Sequence, residues 1–578
     1  MRTDLILAAR GDAIGERLCC LINAMFISKK TDLNFGFVWA QTPKIENTSQ
    51  NSLVIKMGSD LYKYNQEDFF SEDFIKQYSY KDVFNLGNGN FSKFRNQSIK
   101  NMNDKALYQN SWGYYCVQDE LDIYFNDIDD YRESVRACWN EIKFSCKIQR
   151  IVNSAYDLLI SDFIAIHIRG GDALYDLREV DCYIGAFKLV PLELAIGIIK
   201  SISKDKNIIL FGDDISSNYK IKEYCNNNKV FLIDDFFDRA SMDSVEQAIF
   251  EIVVMSRAEV IYSSGASGFS RLAFLIGSSK KVYLSNISYK DRYFNILRYI
   301  DDFYANNFQK AFSYLYLFLI SRELNYDYEK QIKYLEKSKI QDSENNVYTV
   351  LLSDLYIKNS SHDKLAQLLH NTDHKFFNIL FKKGFSAQKY LAYDFIFKSF
   401  LKNEFDIDNV NYIKYLIVCK FFNKEIPLSH ENQLYAYNIV ENLNFHSLYQ
   451  IYLSNENKDK FISIFKELLF INFELKIRNI NNFKVYNISS TLSYKLGDIM
   501  IKNYTNPVSF LKLPFLLYIA KKKYVKKNLV QNNNVNILKY KLGQILIKAH
   551  KSWYKGGYIK FWFDLYKLKK EYKNKKGK

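Results

Sequence analysis

The sequence predicts an α/β protein with parallel sheets, extended toward its C-terminus by helices and a basic tail. Three observations predict it. A strand–glycine loop–helix–strand run opens the chain at residues 5–39. Short apolar strands then alternate with helical segments from 163 to 284, the pattern of a parallel sheet wound on both faces. Beyond about residue 300 the strand signals fade and helical periodicity replaces them.

In order, LILAA (5–9) is an apolar strand and RGDAIG (10–15) a turn. ERLCCLINAMFISKK (16–30) places Leu18, Leu21, Ile22, Met25 and Phe26 at helical spacing, and FGFVW (35–39) is the next strand. Gly11 and Gly15 frame the loop that opens this helix. A helix N-terminus offers free N–H groups to an anion. The spacing GDAIGE nevertheless fails the dinucleotide pattern GxGxxG, and no P-loop GK[ST] occurs. Residues 45–150 are rich in Asp, Asn, Phe and Tyr and read as helices and loops that complete a first domain.

The second α/β run has strands at FIAIHIR (163–169), NIILFGDD (207–214), KVFLIDD (229–235), EVIYSS (259–264) and KKVYL (280–284). Helices fall at 191–204, at 244–258 and after the loop SSGASGFS (263–270). Ligands of such sheets sit beyond the strand C-termini. His167, Arg169, Asp213, Asp214 and Ser263 all fall there. FQKAFSYLYLFLISRE, YEKQIKYLEKSK and NVYTVLLSDLYIKN then read as consecutive amphipathic helices, without a clean 34-residue period. Near the end, YKLGDIMIKNY (494–504) is matched by YKLGQILIKAH (540–550), and each copy is followed by an aromatic and lysine-rich stretch, at 510–523 and 558–570. The organisation expected is 1–150, 151–295, a helical extension at 296–490, and a basic aromatic repeat tail at 491–578.

Net charge is +16 over 578 residues, but its location matters more. From Lys495 onward there are 21 Lys, no Arg and 3 acids, a balance of +18, so the other 494 residues sum to −2. Nucleic-acid proteins place basic charge around the site; here it lies at one end, and no nucleic-acid partner is expected. Lysines interleaved with Phe510, Phe515, Tyr518, Tyr558, Phe561, Trp562 and Phe563 suit an anionic inner-membrane surface; a solvated helical face is the plainer alternative. The N-terminal apolar run is too short for a signal-peptide core, and no stretch approaches a membrane span. A cytoplasmic protein, peripheral on the membrane at most, is expected. Eight cysteines, Cys19 and Cys20 adjacent and six scattered, without a CxxC pair, read as buried free thiols.

Arg169 ends a buried strand, where a guanidinium needs an anion: a carboxylate such as Asp172 or Asp162, or a ligand phosphate. His167 is the only histidine before His362, which excludes a His-rich metal site in the α/β half. It reads as a satisfied, partly buried ring beside Arg169 rather than a general base. Ser263, Ser264 and Ser267 lie in a loop suited to cradling phosphate, or in a plain turn. Asp213 and Asp214 suit a guanine edge or ribose, or a helix cap. Asp127-Ile-Asp129 is the one tempting D-x-D for a metal-dependent transferase, but its surroundings read as a helix start; no metal and no other cofactor are expected.

HIRGGD (167–172) resembles the H-x-R-x-G-D motif of the fucosyltransferase-like glycosyltransferases. The order of the glycine loop at 11–15, the strand ending in Asp213-Asp214 and the loop at 263–270 fits the same family over about residues 1–290. The resemblance implies two facing Rossmann-like domains (GT-B) and a GDP-sugar donor. It implies that Arg169 holds the diphosphate, the aspartate region the guanosine, and the serine loop the phosphates, with inversion at the anomeric carbon. Glu16 stands where the family often has Asn, and Gly170 where many members have a second basic residue. Glu16 and Asp12 are the acids nearest an acceptor hydroxyl. The C-terminal half resembles tails of capsule-cluster sugar transferases in bacteria such as Campylobacter, where heptose competes with fucose as the transferred unit. The expected function is transfer of such a sugar from a GDP-sugar to a capsular or other surface polysaccharide, the acceptor being that polysaccharide or a lipid-linked glycan. Transfer of a non-sugar, phosphoryl-type group and a non-catalytic helical scaffold are the alternatives.

Overall fold

The computed structural model describes residues 4–40, 64–175, 178–179, 187–202, 204–265, 267–370, 374–383, 391–402 and 408–441, with 468 and 471. The chain divides into two units, Met1–Leu468 and Leu469–Lys578. The repeats at 494–504 and 540–550 and the basic aromatic stretches belong to the second and lie outside the described residues.

The first unit holds two parallel sheets. The smaller has the order β2–β1–β3, with β1 Leu5–Ala8 between β2 Asn34–Phe37 and β3 Gly113–Tyr115. β1 is fully buried, as a continuous apolar run in a covered parallel sheet should be. β3 falls in the stretch read as helices and loops. It is three residues long and opens on Gly113 at φ +135, so it carries no alternation to detect. A side chain at 113 would collide with the Leu5 carbonyl.

Helix α1 (Ile14–Lys30) is buried all round, including Arg17, Cys19, Cys20 and Asn23. A helix hydrophobic on every face belongs between layers. α1 packs on its own sheet, on α2 (Tyr131–Glu141) and on α8 (Gly268–Ile276) of the second sheet. Asn23 is satisfied inside: its amide donates to Val117 O (3.0 Å) and Asp119 O (2.8 Å) and accepts from Tyr131 Oη (2.7 Å).

The larger sheet has the order β6–β5–β4–β7–β8, all parallel. Its strands are β4 Phe163–His167, β5 Asn207–Phe211, β6 Val230–Leu232, β7 Val260–Ser263 and β8 Lys280–Tyr283. The chain leaves β4 toward β5 and later returns to its other side at β7, so strand order reverses at β4. A crevice opens at the C-terminal ends of strands at such a point. After β4 comes the short helix α4 (Gly171–Tyr175); α5 (Leu192–Ser201), α6 (Ile215–Cys225), α7 (Ser244–Ser256) and α8 connect the strands. α3 (Cys146–Asp157) packs on α7. One continuous core joins the two sheets, from Ile6 and Phe37 through Val253 and Leu272 to Ile209 and Phe211.

From α9 (Tyr289–Tyr299) onward the described residues are mainly helical: α10 (Asn307–Glu323), α11 (Tyr328–Gln341), α12 (Asn346–Lys358), and five further helices ending at Glu441. Their starts are set by side chains written in the sequence. Asn306, Asp327 and Asn345 accept from the N–H groups of Gln309, Lys330 and Val347. Among the described residues no helix is long and apolar enough to cross a membrane. Cys19, Cys20, Cys116, Cys138 and Cys419 are buried thiols. Cys146 corrects the expectation: at the first position of an amphipathic helix, it is exposed. Cys182 lies outside the described residues.

Candidate functional site

The C-terminal edge of β4, β5 and β7 brings together most of the polar residues singled out in the sequence. Arg169 follows β4, and its Nη1 donates to Asp213 Oδ2. Asp213 Oδ1 accepts the Gly170 N–H (2.9 Å). The carboxylate opposite Arg169 is thus Asp213, across the sheet, and not Asp162; nothing is described of the Asp172 side chain. Both partners keep some exposure, 30% for Arg169 and 17% for Asp213. Gly171 is at φ +37, and a Cβ there would run into the Asp213 carboxylate. The second glycine of the motif is what lets the chain turn past this pair.

Asp214 points the other way. It is 4% exposed and caps α6 through Ser217 N (3.2 Å). Its oxygens also accept from Ser216 Oγ (3.0 Å), Ser217 Oγ (2.7 Å), Tyr175 Oη (3.0 Å) and Gln309 Nε2 (2.9 Å). A carboxylate has about four lone-pair sites, so no capacity remains for a nucleoside. Of the two acids, only Asp213 keeps a partly exposed carboxylate at this edge.

His167 is buried, its ring stacked on Phe269 at 5.4 Å and 12°. It is not the satisfied histidine expected from sequence: Nδ1 has no hydrogen-bond partner among the described residues. Burial, and then the Arg169 charge, push its pKa down to about 3, so the ring is neutral at physiological pH. The serine loop lies beside it. Ser263 and Ser264 are buried, and Ser264 Oγ likewise has no partner among the described residues. Gly265 is at φ +93, a conformation that favours glycine. Ser267 sits at the N-cap of α8, yet its side chain caps nothing. The first-turn N–H groups of α8 are therefore uncapped by that side chain and carry partial positive charge.

Across from this loop stands the start of α1. Gly15 and Gly268 abut: a Cβ on Gly15 would lie 2.7 Å from the Gly268 and Phe269 backbone, and one on Gly268 would lie 2.5 Å from Glu16 Cδ. The two glycines let two helix N-termini meet, and Glu16 crosses the junction. Glu16 Oε2 accepts from Arg271 Nη1 on α8 (2.7 Å). Burial raises the Glu16 carboxyl above its ordinary range, with Arg271 pulling it back. Asp12 is more open, with 46% of its side chain exposed, and pairs with Arg10. Arg17, buried beneath the loop, donates to Asp12 O (2.6 Å), Gly11 O (3.3 Å) and Ala40 O (2.9 Å) and lies over the Trp39 ring. It fixes the shape of the glycine loop.

Asp127 and Asp129 are not at this edge. Asp127 accepts from Ser98 Oγ (2.5 Å) and Ile99 N (2.8 Å), anchoring a neighbouring turn. Asp129 is exposed in the turn before α2. Among the described residues no cluster of three or more His, Cys, Asp or Glu could hold a metal ion.

Sequence reasoning missed Arg271, Arg17, Gln309 and Tyr175. Arg271 is a lone charge inside an apolar helical run, and Arg17 follows Glu16 at the head of another. A buried guanidinium demands partners, and that signal marks both. Gln309 and Tyr175 left none, because their meeting depends on packing 134 positions apart in sequence, from 175 to 309.

A family model described as a domain of unknown function, DUF8374, matches residues 534–574. That region takes in the second repeat copy of the tail. No curated protein matches the chain. Among solved structures, the fucosyltransferase NodZ from Bradyrhizobium is 16% identical, over 50% of this chain and 98% of that one, with a TM-score of 0.30. The NodZ α-1,6-fucosyltransferase soaked with GDP-fucose is 15% identical, over 49% and 97%, at 0.30. POFUT1 in complex with GDP-fucose is 12% identical, over 48% and 97%, at 0.26.

Proposed function

We infer that the chain is a metal-independent glycosyltransferase that moves a sugar from a GDP-sugar to a capsular or related surface polysaccharide. One observation carries this reading. At one sheet edge lie an arginine, two buried polar atoms without a hydrogen-bond partner among the described residues (His167 Nδ1 and Ser264 Oγ) and a helix N-terminus, with a raised carboxyl across a helix junction. Buried polar groups need hydrogen bonds, and a diphosphate supplies them. In this reading residues 151–295 hold the donor and 1–150 the acceptor side.

Departure of GDP builds negative charge on the diphosphate. Arg169, drawn from Asp213 toward the phosphate, and the α8 N–H groups stabilise that charge. Asp213, released from its arginine by that movement, takes the nucleoside. Glu16 accepts the proton of the attacking hydroxyl, since burial makes its carboxylate more basic and it sits at the α8 junction. Asp12 is more open to water, with 46% of its side chain exposed, and serves less well. Attack from the face opposite the leaving group inverts the anomeric centre. Fucose and heptose are the two candidate sugars, and the lysine-rich tail keeps the enzyme at the inner membrane face, where lipid-linked acceptors are built. The test is purified full-length protein with a panel of GDP-sugars and a glycan acceptor, scored by GDP release with and without EDTA. Release from a GDP-sugar that persists in EDTA is expected. Release from none of them, or only with added divalent metal, contradicts the reading.

A further inference from the structure

The helical region after β8 reaches into the base of the site. Gln309, in the first turn of α10, donates Nε2 to Asp214 Oδ2 (2.9 Å) and lies 3.4 Å from Ser217 Oγ. Its N–H donates to Asn306 Oδ1 (2.9 Å), and Asn306 Nδ2 donates to Tyr175 Oη (2.7 Å), which donates to the same Asp214 oxygen (3.0 Å). Tyr175 ends the short helix that follows the H-x-R motif, and its ring meets Phe308 edge-on at 5.9 Å. Arg178 extends the tether: Nη1 donates to Tyr175 O (2.6 Å) and Nε to Asp342 Oδ2 (3.1 Å), just past α11. Asp214, Ser217, Tyr175 and Gln309 are all buried.

The adjacent acids divide the work. Asp213 faces Arg169 and the Gly170 N–H, while Asp214 faces this network. Gly170 sits between them: a Cβ there would lie 3.4 Å from Asp214 Cβ and 3.6 Å from Gln309 Nε2. A shift of Asp214 therefore displaces Asp213 through the chain. We propose that Gln309 is a positioning residue of the donor site, by which the helical region sets where Asp213 presents itself to Arg169. This rests on the donor-site reading above.

The test is a double-mutant cycle on the full-length chain, with GDP affinity read by calorimetry and melting temperature read in parallel. Gln309→Leu keeps the volume and removes the donor. It should weaken GDP binding about 10-fold, or 1.4 kcal/mol, in the wild-type background. In the Asp213→Asn background the same change should cost less than about 2-fold, because Gln309 acts through Asp213. A purely structural role lowers the melting temperature equally in both backgrounds and leaves GDP affinity unchanged or changed equally, and that result overturns the proposal. Should Gln309→Leu fail to fold, Tyr175→Phe removes one hydrogen bond from the same Asp214 oxygen and runs through the same cycle with the same criteria. If wild type binds no GDP, the donor-site reading falls and takes this proposal with it. If wild type binds GDP and Gln309→Leu binds it equally, only this proposal falls.

Discussion

Arg169 and Glu16 are each held by an opposite charge, and each pairing sets an expectation. Arg169→Lys loses the planar fork that can meet a diphosphate bidentately. One charge-assisted hydrogen bond is worth about 1.5–3 kcal/mol, so GDP affinity should fall roughly 10- to 150-fold while the fold persists; unchanged affinity in a titration would remove Arg169 from the donor site. Glu16→Gln should keep GDP binding and lose about 10²- to 10⁴-fold in turnover, the span of general base catalysis. Because burial raises the Glu16 carboxyl, the acid limb of the wild-type rate profile should lie above the ordinary glutamate range. Full turnover in the Glu16→Gln variant would assign the base elsewhere. Glu251, on α7, offers a stability test. Burial pushes it to about 7, against the pull of Arg239 (Nη2 to Oε1, 2.8 Å). Its folded pKa is above its unfolded 4.5, so the fold favours the protonated form. That contribution is complete below pH 4.5 and is lost as pH rises through 7. Relative to wild type, Glu251→Gln should therefore gain melting temperature between about pH 5 and 8; a gap that does not move with pH contradicts the shift.

At the scale of elements, the meeting of α1 and α8 is the feature on which the site depends. Gly15→Ala places a methyl against backbone that a side-chain rotation cannot relieve. About 1–3 kcal/mol of destabilisation is expected, together with lost turnover, since the helices carrying Glu16 and the serine loop move apart. Thermal melts and turnover at a temperature where the variant is folded check both; a variant indistinguishable from wild type means that the junction is slack. Elements with a strong local signal were legible in the sequence. β4, β5 and β7 are apolar runs bounded by glycine or aspartate, and the caps at Asn306, Asp327 and Asn345 announce their helices. β3 was not legible, because three residues beginning with glycine carry no period. Asp213 and Asp214 could not be told apart, because their opposite directions follow from a turn at Gly212 (φ +157) and from the arrival of α10. Arg169, His167 and the serine loop could be gathered at one edge because each lies at the C-terminal end of a strand in a parallel sheet, whereas the Glu16–Arg271 pair needs two helices from different sheets to touch.

Over the whole molecule, the α/β sheets and the helices that follow share contacts down to the β4–β5 edge, while the charge is concentrated in the terminal unit. A chain ending near residue 490 should retain GDP binding and transfer to a soluble acceptor. It should lose salt-sensitive sedimentation with anionic vesicles, because each lysine near an anionic surface contributes about 1 kcal/mol. Full-length protein that ignores anionic vesicles would make the tail a structural part instead. The central claim, a guanosine diphosphate site at the β4–β5–β7 edge, is tested most directly by the melting temperature of the full-length protein with GDP, ADP, UDP and CDP, in EDTA. A ligand at about 100 times its Kd stabilises by about 2.7 kcal/mol, which is a shift of several degrees or less for a chain of this size. GDP alone should raise the melting temperature, and Arg169→Lys should cut the rise at the same GDP concentration to about half or less. No rise with GDP, or an equal rise with all four nucleotides, would contradict the account.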